Sequence, residues 1–253
     1  MLEKQRLFKE AENAIRWIHD YVERIGAKGV VVGNSGGKDS ATVIAMATKA
    51  LGKERVLTIA MPCNSIQSDL EDARLVAQKF EVPFIKVDLS NSYNELENTI
   101  NSTLINIELN KEAKINVKPR LRMTTLYAIA QSLGYLVIGT GNLCERMVGY
   151  TTKWGDSASD FNPIANFTVE EVLAIGEYLG VPDKIIHKAP NDGLGGQTDE
   201  EKMGITYKQI AEYIETGKTD LDAMKSIEKR NKSSKHKREA VPVYEVERKK
   251  YLE

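Results

Sequence analysis

The residue types best able to do chemistry are gathered in one string, Gly33-Asn34-Ser35-Gly36-Gly37-Lys38-Asp39-Ser40. Adjacent glycines let the backbone turn sharply and approach an anion closely. If a helix follows, its first N–H groups and its dipole face that anion. Two hydroxyls, an ammonium and a carboxylate then make a set suited to phosphate with a cation beside it. For paired glycines alone, a simple turn between strand and helix is the ordinary alternative. Spacing excludes two familiar phosphate loops. A Walker loop has four residues between its glycine and Gly-Lys, followed by Ser or Thr. Here Gly33 and Gly37 enclose three residues, and Asp39 follows Lys38. A dinucleotide fingerprint begins G-x-G, and Gly33-x-x-Gly36 does not.

Such a loop works only if a strand delivers it and a helix continues it. Val30-Val31-Val32 is a β-branched run bracketed by Gly29 and Gly33, which reads as a strand. A helix is expected over 39–51, stopped by Gly52, and another over 3–25 from the spacing of Leu7, Ala11, Ala14, Ile15, Ile18 and Val22. Further strands are expected at 56–60, 84–87 and 135–138, with helices over 68–80, 91–109 and 119–133 between them. Short apolar strands alternating with amphipathic helices predict an α/β fold, a doubly wound parallel sheet with helices on both faces. Loops 33–38, 62–67 and 139–144 then lie along the carboxyl edge of that sheet, where ligands bind near the switch in strand order. Asp39 and Glu145 share this edge. They are a natural pair for Mg²⁺, which takes one or two carboxylates and completes its shell with phosphate oxygens and water. Standing alone, Glu145 would read as a solvated loop carboxylate. Lys153 and Asp160 could equally form a surface ion pair of little consequence.

Composition narrows the function classes. At 253 residues, with 42% hydrophobic and 28% charged residues, the chain has room for one large core. No apolar run is long enough to cross a bilayer, and the charged amphipathic start is no secretory signal, so cytoplasmic residence is expected. Cys63 and Cys144 form no CxxC pair, which argues against a disulfide framework or a thiolate zinc site. A net charge of −1 does not suit neutralising a nucleic-acid backbone. The basic stretch at 229–238 reads as a solvated charge run, with a phosphate or RNA patch as the rarer case. The alternation is expected to fill 1–253 as a single domain, leaving no room for a glutaminase with its own nucleophilic cysteine.

Ser35-Gly36-Gly37-x-Asp39-Ser40 resembles the pyrophosphate loop of the N-type ATP pyrophosphatases, which adenylate a substrate and release pyrophosphate. Within that superfamily, the stretch Gly139-Thr140-Gly141-Asn142-Leu143-Cys144-Glu145, then Gly149-Tyr150-Thr151-Thr152-Lys153-Trp154-Gly155-Asp156 and Asp160, is similar to the NAD synthetase signature. The resemblance implies an adenine nucleotide alpha hydrolase-like, Rossmann-like fold. It also implies ATP-dependent amidation of deamido-NAD⁺ by ammonia through an adenylated intermediate. By the same resemblance Asp39, Glu145 and Lys153 are catalytic, with Asp39 and Glu145 holding Mg²⁺. ATP falls to Gly33, Asn34, Ser35, Gly36, Gly37, Lys38, Asp39, Ser40, Thr140, Lys188 and Asn191. Deamido-NAD falls to Tyr21, Arg120, Tyr127, Tyr150, Lys153, Asp156, Asp160, His236 and Lys237. Residues 188–194 resemble a second, mobile phosphate loop, and the family implies a homodimer, for which the first helix and the helices of 91–133 are candidate contacts. Two positions depart from the family pattern on the ATP side: Val169 stands where a lysine is usual, and Asn191 where Ser or Thr is usual. A tRNA-modifying or sulfur-transfer pyrophosphatase would predict a basic surface or added cysteines. A non-catalytic nucleotide sensor is the remaining rival.

Overall fold

In the computed structural model of the protein, residues 2–65, 67–104, 108–188 and 198–246 are described. The sheet and its cover come from α1 (Lys4–Ile25), β1 (Gly29–Gly33), α2 (Lys38–Leu51), β2 (Val56–Ala60), α3 (Gln67–Lys79), β3 (Phe84–Lys86), α4 (Ser90–Thr103), α5 (Lys111–Leu133) and β4 (Tyr135–Ile138). The strand order is β3-β2-β1-β4 with every pair parallel, so the order reverses between β1 and β4. Both faces are covered. Val30 and Val32 point into a core shared by α1 and α2, whereas Val31 points into a second core with Ala130 of α5 and Tyr93 of α4. Right-handed crossovers require this, because the chain passes β1-β2-β3 in one direction and then returns to reach β4.

The strands and the first three helices fall where the hydrophobic pattern puts them. α5 does not. Pro119, a natural first-turn residue, sits well inside the helix, which starts at Lys111 with Asn110 as its cap (Ala113 N–H to Asn110 Oδ1, 2.8 Å). A proline in the interior removes one backbone donor and is tolerated at a local cost. Arg120 is therefore mid-helical rather than at a helix start.

The alternation also stops earlier than expected. After β4 only Phe161 extends the sheet among the described residues, by a single parallel bridge to Ile138. The elements beyond β4 are helical: α6 (Leu143–Val148), α7 (Val169–Tyr178), α8 (Asp183–Ile186), α9 (Asp199–Met203), α10 (Tyr207–Thr216) and α11 (Leu221–Ser233). α7 joins the α1–α2 face, and α9, α10 and α11 bury Met203, Ile210, Ala223 and Ile227 against Cys144 and Val148 of α6. Gly149 ends α6 with φ 64°, and a Cβ there would stand 2.0 Å from that of the buried Ser234. Among the described residues no helix is long and apolar enough to cross a membrane.

Both thiols are buried, and burial pushes Cys144 up to about 11 and Cys63 above its ordinary value. Only about one Cys144 in a thousand is thiolate at pH 8. The native protein is expected to react slowly with a disulfide reagent at pH 8, and both thiols to react at once in guanidinium. Fast labelling of the native protein would contradict this placement.

Candidate active site

The turn after β1 is held from below. Asn34 is buried, its Nδ2 donating to Ala73 O of α3 (2.8 Å) and its Oδ1 accepting the Gly36 N–H (3.1 Å). Gly36 has φ 73°, and a Cβ on it would lie 2.6 Å from Asp69 O and 2.9 Å from Ala73 N. No side chain other than hydrogen fits between loop and helix. Ser35 Oγ accepts the Gly37 N–H (3.2 Å) and shares a hydrogen bond with Ser40 Oγ (3.1 Å). The N-cap of α2, Gly37, supplies no side-chain hydrogen bond. α6, α7, α9 and α10 all carry complete capping boxes. Orphan N–H groups at the start of α2 are thus left for a ligand.

A cavity of about 720 Å³ opens above this loop at the strand-order switch, within the size range of nucleotide sites. Gly33, Asn34, Ser35, Gly37, Lys38, Asp39, Ser40, Thr140, Glu145 and Lys188 line it, as do Tyr150, Asp156 and Lys237. Gly36 supports the loop from behind.

Charge inside the cavity is dense. Lys38 is 8% exposed, and its Nζ lies 3.1 Å from Asp39 Oδ2 and 5.7 Å from the centre of the Tyr207 ring. Burial alone would pull the Lys38 pKa down. The Asp39, Glu145 and Asp199 carboxylates outweigh it and hold the ammonium above its ordinary value. Burial, reinforced by the Asp39 carboxylate, holds Glu145 well above the usual carboxylate range. Asn142 Nδ2 donates to Asp39 Oδ1 (3.1 Å), and Asn142 N–H donates to Glu145 Oε2 (2.9 Å). Among the described residues no three His, Cys, Asp or Glu side chains form a metal cage. Two adjacent carboxylates beside a phosphate loop suit a hard cation that completes its shell with phosphate oxygens and water.

The other residues singled out in the sequence divide into those in the cavity and those outside it. Asp156 Oδ1 accepts the Thr152 N–H (2.8 Å), and Tyr150 donates to Asp199 Oδ1 (3.2 Å). Lys237 is spent on the Gly149 and Thr151 carbonyls (2.8 and 2.6 Å), and burial pulls it below its ordinary value against the opposing Asp156. Tyr21, Arg120, Tyr127, Lys153 and Asp160 are not on the cavity wall; they form an outer patch across α5. There Tyr21 and Tyr127 donate to Asp160 O and Oδ1 (3.3 and 3.4 Å), and Arg120 donates to Lys153 O (3.3 Å). His236 is exposed beyond α11. Lys188 is gripped by Asp69 and Asp72 of α3 (2.9 and 2.7 Å). Asn191 and the rest of the expected second phosphate loop, 189–197, lie outside the described residues. Val169 is buried in the apolar contact between α6 and α10, not on the cavity wall, so its lack of charge removes nothing from the described site. The basic stretch is divided: Arg238 donates to the Arg146 and Asn231 carbonyls and Arg230 to the Met203 carbonyl, whereas Lys229, Lys232 and Lys235 stay exposed.

Sequence reasoning passed over Arg122, which reaches the Met61 carbonyl (3.1 Å) and Ser65 Oγ (3.3 Å) and fixes the loop after β2 at the cavity wall. Asp199, which matches the family pattern only as part of Asp199-Glu200 after the second phosphate loop and had no role assigned, accepts hydrogen bonds from Tyr150 and Tyr207; Asn142 was passed over as well. Only Asn142 had a local signal, since an Asn three residues before a Glu is a capping box.

The NAD synthase family model matches residues 10–241. The NH(3)-dependent NAD(+) synthetase of Carboxydothermus hydrogenoformans is 43% identical over 231 residues, 91% of this chain and 94% of its own. Two solved structures share the fold closely. The NMN synthetase of Francisella tularensis has a TM-score of 0.89 at 31% identity, over 97% of this chain and 100% of that one. The NH3-dependent NAD synthetase of Campylobacter jejuni has a TM-score of 0.78 at 25% identity, again over 97% and 100%.

Proposed function

The chain belongs to the NAD synthase family, and from that premise we infer that it amidates deamido-NAD⁺ with ammonia, splitting ATP into AMP and pyrophosphate. The observation that carries this reading is the meeting of the Ser35–Ser40 loop and Glu145 in one cavity, with Asn142 joining Asp39 to Glu145.

A carboxylate resists attack by ammonia because its leaving group would be oxide. Transfer of AMP to the nicotinate carboxylate makes a mixed anhydride, and ammonia then displaces AMP to give the amide. The open start of α2, with Ser35 and Ser40, faces the charge that develops on the departing pyrophosphate. Lys38 lies beside the same phosphates. Asp39 and Glu145 would hold Mg²⁺, which when bound neutralises phosphate charge and orients the leaving group. No nucleophile from the protein is needed, and holding carboxylate and α-phosphorus in line supplies much of the acceleration. Lys153 is assigned to the acceptor rather than to the phosphates, because it lies outside the cavity beside the Trp154 ring (5.4 Å).

Tyr150, Asp156, Lys237 and the outer patch together would bind the acceptor. Exposed Trp17 packs against Tyr21 of the outer patch (ring centres 5.6 Å), and exposed Ile25 and Leu133 lie on the same two helices, α1 and α5, a surface suited to a second copy in a homodimer. Single-domain organisation, ammonia taken up free or from a separate protein, and a cytoplasmic setting without a nucleic-acid partner complete the proposal. The Y21A variant is expected to raise the KM for deamido-NAD⁺ about threefold to tenfold with kcat little changed, since Tyr21 buttresses Asp160 away from the phosphates. An unchanged KM would remove Tyr21 from the acceptor site.

The likeness to the Francisella protein supports a second acceptor, nicotinate mononucleotide. One assay tests both: ATP, Mg²⁺ and ammonium with each acceptor in turn, measuring AMP, pyrophosphate and amide product. ATP cleavage indifferent to both acceptors would sink the reading in favour of another pyrophosphatase. ATP binding without cleavage would favour a sensor.

A further inference from the structure

Asn142 is fully buried at the start of α6, and its side chain meets two opposite demands. Its Oδ1 accepts the Glu145 N–H at 3.1 Å, while its Nδ2 donates to Asp39 Oδ1 at 3.1 Å. Its backbone N–H donates to Glu145 Oε2 at 2.9 Å, closing the capping box. An amide is suited to this place because it is uncharged and donates and accepts through separate atoms. A carboxylate here would repel Asp39, and a hydroxyl is too short to serve both neighbours. The two oxygens left over are the ones a ligand can use. Among the described residues Asp39 Oδ2 shares only the Lys38 ammonium and Glu145 Oε1 accepts no hydrogen bond, while both side chains line the cavity.

Asp39 and Glu145 reach this point from distant parts of the chain, one on the turn after β1 and the other beyond β4. Like charges brought together push apart unless something fixes them. Among the described residues the Asn142 side chain hydrogen-bonds the Asp39 carboxylate and the Glu145 backbone N–H, while the Asn142 N–H holds the Glu145 carboxylate, so residue 142 ties the two carboxylates together. We propose that Asn142 is a positioning residue that holds the Asp39 and Glu145 carboxylates at the separation a divalent cation needs, before nucleotide arrives. The proposal rests on reading the cavity as an ATP and Mg²⁺ site. Ligands fixed in advance bind more tightly because the ordering has already been done by folding. Outer partners that orient ligands typically change metal affinity by about 10- to 100-fold.

The helix-capping role must be separated from the positioning role. N142S keeps an N-cap acceptor for the Glu145 N–H and loses the donor to Asp39. N142T also keeps the acceptor, with a hydroxyl too short to reach Asp39, and it serves if N142S folds poorly. Mn²⁺ is the probe, titrated against each protein with α,β-methylene-ATP present and the free ion read by electron paramagnetic resonance. Both variants are expected to melt close to the parent yet bind Mn²⁺ about 10- to 100-fold more weakly. Their kcat should recover substantially in high Mg²⁺, as a merely structural defect would not. Mn²⁺ affinity within twofold of the parent in both variants would overturn the proposal. D39N and E145Q decide what such a failure means. If they lose Mn²⁺ while N142S and N142T keep it, the positioning role alone is wrong. If they too bind like the parent, the reading of the cavity fails and the proposal with it.

Discussion

The E145Q protein is expected to lose activity and gain stability together. Glutamine keeps the shape and can still accept the Asn142 N–H that Glu145 Oε2 now takes, so α6 keeps its cap. It cannot bring a negative charge to a cation. Removing one such charge from the phosphate site should lower kcat by on the order of 10²- to 10³-fold, the scale of a lost charge-stabilising group at a developing oxyanion. Stability moves the other way. Burial and Asp39 raise the folded-state pKa of Glu145 above its unfolded value. A group raised in this way favours folding only below its unfolded pKa of about 4.3, and that contribution is lost as pH rises through the folded value. At pH 8 the nucleotide-free parent therefore folds around an ionised carboxylate it would rather protonate, and E145Q does not. Melting of the nucleotide-free proteins should place E145Q above the parent at pH 8, with the gap closing towards about pH 4. With Mg²⁺ and ATP present the parent should recover this deficit, because bound ligands stabilise only the folded state. Equal melting temperatures at pH 8 would mean that Glu145 is not held against its preference.

The G36A substitution should damage both the fold and the nucleotide site. An alanine at φ 73° sits in a region that costs about 1 to 2 kcal/mol for a residue with a Cβ. Its methyl would also meet Asp69 O at 2.6 Å and the Asp72 Cβ at 2.8 Å, so α3 must move. Overpacking of this kind typically costs a further 1–3 kcal/mol or so. A melting temperature lower by roughly 5 to 12 °C is expected for a chain of this size. Because Asp69 and Asp72 hold Lys188, displacement of α3 also loosens the far wall of the cavity, and the KM for ATP should rise more than kcat falls. A variant that melts within about 2 °C of the parent would show that loop and helix are not in the contact described.

The sheet and the phosphate turn were legible locally. Val30, Val31 and Val32 form a short apolar run between glycines, and 56–60 and 135–138 are similar; such runs become buried parallel strands wherever helices cover both faces. The failures have local causes too. The helix expected from 119 starts a full two turns earlier, at an Asn cap at residue 110, and carries Pro119 inside it. The described helices of the last third carry no strand between them, so no alternation could announce that α9, α10 and α11 would fold back onto α6.

Which residues would share a site was a harder question. The sequence by itself determined the open-ended start of α2, since Gly37 has no side chain to cap it, and the capping box that orients Glu145. Both depend on neighbours a few residues apart. Only the tertiary structure decided that Asn142 meets Asp39, a contact 103 residues apart in sequence, and that Lys188 is held by α3 rather than left free. It also separated Tyr21, Tyr127 and Asp160 from the cavity and turned Arg230, Lys237 and Arg238 of the basic stretch inward. Local propensity is written in short-range spacing. A contact between distant segments depends on how the sheet brings its loops to one edge, and no short string of residues records that.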